Sequence, residues 1–281
     1  MQSYKRKKKF RNMLIISILI LVSLTMLIPF WWMITTSLDW AAVTRVPFPP
    51  RFWPKEFSWQ AYRVTFANIP MVMYMVNTLT VITGMIIASA SSALLAGYSL
   101  SKIRFRGSKL VLFASLCVLM IPFETTMIPQ FLLFNQLGLT NTYWAFWLPG
   151  ISYVMGTFFT KQYMDSLPDA LRESARLDGA NEMRVFWQIY LPLCGPVVAT
   201  LVILLFLYGW NDFLWPLLIL NDSKKFTVQI GVAMFTYQSG LKQMPAIRMA
   251  LAVVSVLPVL VLYLFLQRFI VESIATSGIK Q

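Results

Sequence analysis

Residues Glu173-Ser-Ala-Arg-Leu-Asp-Gly179 and Ile189-Tyr-Leu-Pro192 make a charged, glycine-punctuated insert between long apolar segments of a 281-residue chain. Such an insert reads as a small folded device facing one aqueous side of a membrane protein. No catalytic constellation accompanies it. The chain has no His, which removes the commonest general base and transition-metal ligand, and with it Ser-His and Cys-His nucleophiles. Its glycines show no GxGxxG or GxxxxGK[ST] pattern, so there is no phosphate cradle. No catalytic residue and no metal site is predicted.

Two short helices are expected to carry this insert. Pro168 falls in the first turn of one, where a missing N–H costs nothing. Leu167, Leu171 and Ala175 recur every four residues as a narrow apolar stripe, while Asp169, Arg172, Glu173, Arg176 and Asp178 fill the other faces. Gly179 stops that helix. Asn181 caps the second, in which Met183, Phe186, Trp187 and Tyr190 follow i, i+3, i+4, i+7 until Leu191-Pro192 ends it. Such a helix suits the membrane surface.

The rest of the chain must hold this device in a bilayer. Of its residues 58% are hydrophobic and only 12% charged, against about a quarter charged in soluble domains. A spanning helix needs roughly 20 apolar residues, and charge-free windows of at least that order run over 12–38, 64–101, 125–160, 185–211 and 249–267. Placing turns within and between them predicts an all-α membrane protein with six transmembrane helices near 13–36, 73–101, 109–130, 142–162, 195–220 and 248–270. The apolar runs are continuous and do not alternate, which excludes a β-barrel. The domain reading is a basic tail over 1–12, a transmembrane domain over 13–270 that contains the loop 165–192, and a C-terminal tail over 271–281.

Most of the 24 basic residues fall on one side of these spans. Lys5 to Arg11 precede the first, Lys102 to Lys109 fill the short second loop, Lys161, Arg172, Arg176 and Arg184 lie in the fourth, and Arg268 and Lys280 in the tail. The positive-inside rule makes these segments, and both termini, cytoplasmic. The net charge of +13 is then orientation charge facing lipid headgroups, not a nucleic-acid surface. The run from Met13 to Thr36 is longer than a signal-peptide core and lacks an A-x-A site, so an uncleaved first span is expected. Cys117 and Cys194 give no sign of a disulfide.

Gly84, Ala88, Ser92 and Ala96 repeat every four residues in the second span, with Ser89, Ala93 and Gly97 beside them. Small residues let helices approach closely in lipid, which puts this span at the centre of a bundle. Asn77, Asn211 and Asp212 are polar groups near membrane depth, and two readings stand. They line a translocation path, or they sit at the outer interface as caps and pairing partners.

The spacing of the insert also resembles a family signature. Permease subunits of binding-protein-dependent ABC importers carry a cytoplasmic loop of Glu-Ala-Ala, three residues, Gly, nine residues, Ile-x-Leu-Pro. Glu173, Ala175, Gly179, Ile189, Leu191 and Pro192 fill it in register, with Ser174 for the middle Ala. The resemblance runs over nearly the whole chain and is similar to the carbohydrate, maltose-transporter type at Asn77-Thr-Leu, at Ala96 to Gly107, at Ile121-Pro to Gln130, and at Leu191 to Thr200 running into Trp210 to Pro216. Gln267 to Lys280 resembles that family's tail, with departures at Ser273, Ser277 and Gln281.

The resemblance implies a type I ABC importer permease fold in a bacterial cell membrane. It implies a second related permease, two ATPase subunits and an extracytoplasmic solute-binding protein as partners. ATP and Mg would be held on the ATPase subunits, with no cofactor on this chain. Glu173, Ser174, Ala175, Asp178 and Gly179 would couple to the ATPase, and Ile189, Leu191 and Pro192 would close the coupling loop. The external loop from Asn221 to Ile247, with Gln238, Ser239 and Gly240 at its tip, would meet the binding protein. The implied cargo is a sugar or oligosaccharide. An importer of glycerol phosphate, polyamine or amino acid is the alternative. A secondary transporter should show paired ionisable residues near mid-membrane, broken helices and repeated halves, and none of these is evident in this sequence.

Overall fold

The computed structural model describes residues 2–103, 105–238 and 244–278. It is helical, and in chain order the helices are α1 (Gln2–Ser37), α2 (Gln60–Asn68), α3 (Met71–Tyr98), α4 (Ser108–Val118), α5 (Phe123–Gln136), α6 (Trp144–Gly150), α7 (Val154–Asp165), α8 (Ala170–Leu177), α9 (Glu182–Val185), α10 (Leu191–Leu193), α11 (Gly195–Asn211), α12 (Leu214–Ile219), α13 (Val228–Gln238) and α14 (Pro245–Gly278). Wider π-helical turns extend α3 over Ser99–Ile103 and join α9 to α10 over Phe186–Tyr190. The chain divides into two compact units, 1–70 with 232–258 and 71–231 with 259–281.

In the first unit α1 is uniformly apolar beyond its basic start, and residues such as Leu19, Leu21 and Met26 stay more than half exposed. Nothing in the unit covers them, as befits a helix whose solvent is lipid. Helical backbone runs through the basic segment predicted as a tail. At its far end Asp39, 1% exposed, holds the next turn together. Its carboxylate accepts from the N–H of Ala41 (3.2 Å) and Glu56 (3.0 Å) and from Arg51 Nη1 (3.3 Å). Ala42, Ala61, Ala246, Ile247 and Ala250 form a small core of this unit.

In the second unit α3 is central and packs on α6, α7 and α11. Its small residues explain this. A Cβ on Gly97 would lie 2.6 Å from the Thr160 Cβ of α7, so the two backbones touch where no side chain fits between them. The buried face runs through Ser89, Ala93 and Gly97. The expected principal stripe of Gly84, Ala88, Ser92 and Ala96 is only half-buried, one step round the helix, with Trp147 seated against Gly84.

Lys9–Ser37, Met71–Ile103 and Pro245–Phe265 are each long and apolar enough to cross a membrane. The other expected spans are interrupted. The stretch predicted as 109–130 is α4 and α5, bent by 95° where Pro122 precedes α5. The stretch predicted as 142–162 is α6 and α7, broken over 151–153 just after Pro149. The stretch predicted as 195–220 breaks at Asp212 and Phe213, where the Asp212 carboxylate accepts from the Trp215 N–H (3.4 Å) and starts α12. Proline removes a backbone donor and clashes with the preceding turn, so apolar run length alone overstated helix continuity.

Candidate functional site

The insert folds as two short helices joined by a tight turn. α8 starts at Ala170, so Pro168 lies just before the helix and not in its first turn. The helix closes as expected at Gly179, whose φ is +82°. The Ala180 N–H reaches the Ala175 carbonyl (3.0 Å) and the Gly179 N–H reaches Arg176 (3.0 Å), the paired bonds of a glycine-terminated helix. Asn181 caps α9 by accepting from the Arg184 N–H (2.8 Å). The second helix ends at Leu193, one residue past the expected Leu191-Pro192. From Glu182 to Leu193 the segment then meets α11 at 76°.

One face of this hairpin is locked to the bundle. Ala175, Val185, Phe186, Tyr190 and Cys194 are buried in one cluster with Ala93, Leu94 and Tyr98 of α3, Met164 of α7 and Val197 and Leu201 of α11. The Tyr98 ring lies 5.3 Å from both the Phe186 and Tyr190 rings. Met183 and Trp187, 58% and 56% exposed, point away from the cluster on the same helix.

Around that core sits a polar frame whose residues were not among the sequence-predicted site. Glu182 accepts from Arg172 through both oxygens, at 2.6 Å and 3.1 Å, and from the Tyr98 hydroxyl at 2.8 Å. The Arg172 hydrogen bond, reinforced by that of Tyr98, holds the Glu182 carboxyl below its ordinary range. The same bond raises the Arg172 guanidinium. Lys102, at the end of α3 and 4% exposed, donates to the Leu167 carbonyl and to Asp169, both at 2.7 Å. Its ammonium also stands 5.5 Å from the centre of the Tyr190 ring, a favourable cation–π placement. Ser101 donates to Asp165 (2.6 Å), which also pairs with Lys161. A charged residue at the foot of an apolar span was the available signal for Lys102, and an acid directly after a helix cap was the signal for Glu182.

The predicted coupling residues divide cleanly. Ala175 is in the core, Ile189 and Leu191 pack against it, and Pro192 is exposed. Glu173, Ser174, Asp178 and Gly179 are all exposed, as is Leu177 at 89%. Among the described residues Glu173 makes no side-chain hydrogen bond or ion pair. An apolar side chain and a carboxylate offered beside an open glycine turn make a surface able to enter a cleft.

The other predicted positions lie apart from this hairpin. Asn77 donates to the carbonyls of Lys224 (2.8 Å) and Phe226 (3.0 Å) and accepts from the Tyr143 hydroxyl (3.0 Å). It ties the 224–226 turn to α3. Among the described residues Asn211 bonds only its own helix, at the Leu207 carbonyl (2.8 Å), and Asp212 starts α12. Both behave as helix-end groups. Gln238 is the last residue of α13, and Ser239 and Gly240 lie outside the described residues.

Comparison with known proteins matches residues 81–276 to the family described as binding-protein-dependent transport system inner membrane component. The arabinooligosaccharides transport system permease protein AraQ of Halalkalibacterium halodurans is 36% identical over 204 residues, 73% of this chain and 72% of that protein. The sn-glycerol-3-phosphate transport system permease protein UgpE of Yersinia pestis is 30% identical over 249 residues, 87% of this chain and 88% of that one. In fold, the chain is similar to one from a bacterial ABC transporter involved in the import of the acidic polysaccharide alginate. The TM-score is 0.81 at 23% identity, over 94% of this chain and 97% of that one. The family match opens in α3, takes in the whole α8–α10 hairpin and closes in α14. The chain therefore belongs to the inner membrane components of binding-protein-dependent transport systems, as a multi-pass transport permease subunit.

Proposed function

We propose that this permease carries a sugar or oligosaccharide inward, handed over by an extracytoplasmic binding protein and driven by a separate ATPase gripping the 165–192 loop. The supporting observation is the division of that loop into two faces. Its inner face is buried against α3, α7 and α11, while Glu173, Ser174, Leu177, Asp178 and Gly179 stand exposed together. A rigid exposed hairpin transmits force to the helices it is packed on. Two ATPase subunits holding ATP and Mg, and a second related permease, complete the assembly. The basic loops and both termini lie on the ATPase side of the membrane. The loop between α12 and α14, containing Gln238, faces the binding protein.

The sugar reading draws on the similarity to arabinooligosaccharide permeases. The similarity to glycerol phosphate permeases makes a phosphorylated polyol the second reading. Proteoliposomes holding the assembled transporter test both. Uptake should require ATP and binding protein, persist when protonophores collapse ion gradients, and favour neutral oligosaccharides over sn-glycerol 3-phosphate. Uptake abolished by the protonophore alone would overturn the ATP-driven reading.

A further inference from the structure

The apolar run of α1 opens at Met13, directly after Arg11 and Asn12. Roughly 20 residues at 1.5 Å each cross the hydrocarbon core, which puts the far boundary of the bilayer at Trp31 and Trp32. Tryptophan suits such a boundary, because its ring is apolar and its N–H seeks a polar partner. Trp31 has that partner in the chain that follows α1. Its Nε1 donates to the Phe52 carbonyl at 2.9 Å, and its ring meets the Trp53 ring edge to face, with centroids 5.6 Å apart. The Thr35 hydroxyl reaches the Arg51 carbonyl (3.2 Å). Higher up, the Trp40 N–H donates to the Glu56 carbonyl and the Ser58 N–H to the Leu38 carbonyl, both at 2.9 Å. The connection between α1 and α2 thus descends to 51–53 beside Trp31 and Thr35, then climbs to 56–58 beside Leu38 and Trp40.

The side chains left open on this descent are aromatic. Phe48 is 93% exposed, Trp53 73%, Phe57 63% and Phe52 61%. So many uncovered rings in one short stretch mark an interaction surface. Arg45 and Lys55 are exposed on the same stretch and make no ion pair among the described residues. Arg51 pairs with Asp39, and the exposed acid of the stretch is Glu56. Rings that lie among lipid glycerol and carbonyl groups, flanked by cations that reach phosphates, are the composition of a surface seated in a headgroup layer. Depth separates this occupant from a protein in the aqueous phase. Such a protein can reach Phe48, but not Phe52 and Trp53, which are strapped to the level where the hydrocarbon ends.

We propose that residues 44–57 form an interfacial foot, seated in the phospholipid headgroup layer of the leaflet opposite the basic start of α1. The foot fixes the depth of α1, whose apolar stretch has no protein cover among the described residues, and it does so whatever the cargo. The test uses the assembled transporter in phosphatidylethanolamine–phosphatidylglycerol proteoliposomes, with Cys117→Ser and, singly, Phe48→Cys or Trp53→Cys carrying a bimane label. Emission is quenched by a phospholipid with a headgroup nitroxide or by aqueous iodide, with and without the binding protein. The nitroxide lipid should quench both labels strongly. Iodide should quench the label in Trp53→Cys severalfold less than it quenches a free bimane thioether, and the binding protein should change neither result. Trp31→Phe keeps a ring but removes the bond to Phe52, so combined with Phe48→Cys it should raise iodide quenching and lower quenching by the lipid. Full iodide quenching with none from the lipid places the stretch in water and overturns the foot. Shielding from both quenchers assigns the patch to a partner subunit, and shielding gained only with the binding protein assigns it to that protein; either overturns the lipid assignment. Quenching unchanged by Trp31→Phe overturns the strap as the device that sets its depth.

Discussion

Arg172 and Glu182 meet through two hydrogen bonds across the Gly179 turn, so the charge that closes the hairpin is separate from the exposed carboxylate of Glu173. The Tyr98 hydroxyl adds a third bond to the same carboxylate, which fastens both hairpin arms to the end of α3. Glu182→Gln keeps the shape and removes the charge. Because both partners are partly exposed, the loss is about 1 kcal/mol, felt locally. Amide exchange over 170–190 should accelerate while the α3 core stays protected.

The pH dependence of this brace has a definite sign. The folded Glu182 carboxyl is depressed from its ordinary 4.5. Its contribution is therefore complete above that value and is lost as pH falls through the lower folded value. Limited proteolysis of the hairpin should be flat from neutral pH down to about 5 and should rise in more acidic buffer. In the Glu182→Gln variant the rise should be blunted.

Gly179 holds a φ of +82° with nothing within 4 Å of where a Cβ would stand. The penalty of substitution is thus in the backbone and not in packing. Gly179→Val should cost about 1–2 kcal/mol at the turn, and Gly179→Asn less, since Asn visits this region more readily. Uptake should fall in that order while the amount of inserted chain stays constant, as read by membrane immunoblots and transport.

Glu173→Lys makes the opposite separation. The residue is exposed and unpaired among the described residues, so thermal stability should move by less than about 0.5 kcal/mol. Recovery of the ATPase on affinity purification should drop several-fold. Full recovery with normal stimulated hydrolysis would exclude Glu173 from the docking face.

Asn77 and Asn211 should differ despite sharing a residue type and a predicted role. Asn77→Ala removes three part-buried bonds, to the carbonyls of Lys224 and Phe226 and from the Tyr143 hydroxyl, at about 0.5–1.5 kcal/mol for each. Asn211→Ala loses one bond to its own helix and should shift the unfolding temperature little. Differential scanning of the detergent-solubilised protein reads both.

The hairpin was legible because its signals are local: a glycine after charged turns, an asparagine before an apolar repeat, and a fixed spacing to Pro192. The centrality of α3 was legible from its small residues, although the buried stripe through Ser89 and Gly97 could be separated from the neighbouring one only by seeing which helix lay against it. The breaks at Pro122 and at 151–153 were hidden by treating hydropathy as continuity, whereas Asn211-Asp212 stood out in the sequence as a polar interruption of the fifth span. Lys102 and Glu182 read as ordinary charges because their partners, Asp169 and Tyr98, are brought to them by the tertiary fold.

The 76° corner between Glu182–Leu193 and α11 gives the molecule the geometry of a bell-crank. One limb has twelve residues and the other seventeen, so at 1.5 Å per residue they measure about 18 Å and 25 Å. With the corner at Cys194 as pivot, a stroke delivered to the short limb swings the far end of α11 through an arc about 1.4 times as long. The far end of that arm stops at Asp212, where α11 gives way to α12. The arm thus ends at a capped joint, the Asp212 carboxylate accepting from the Trp215 N–H.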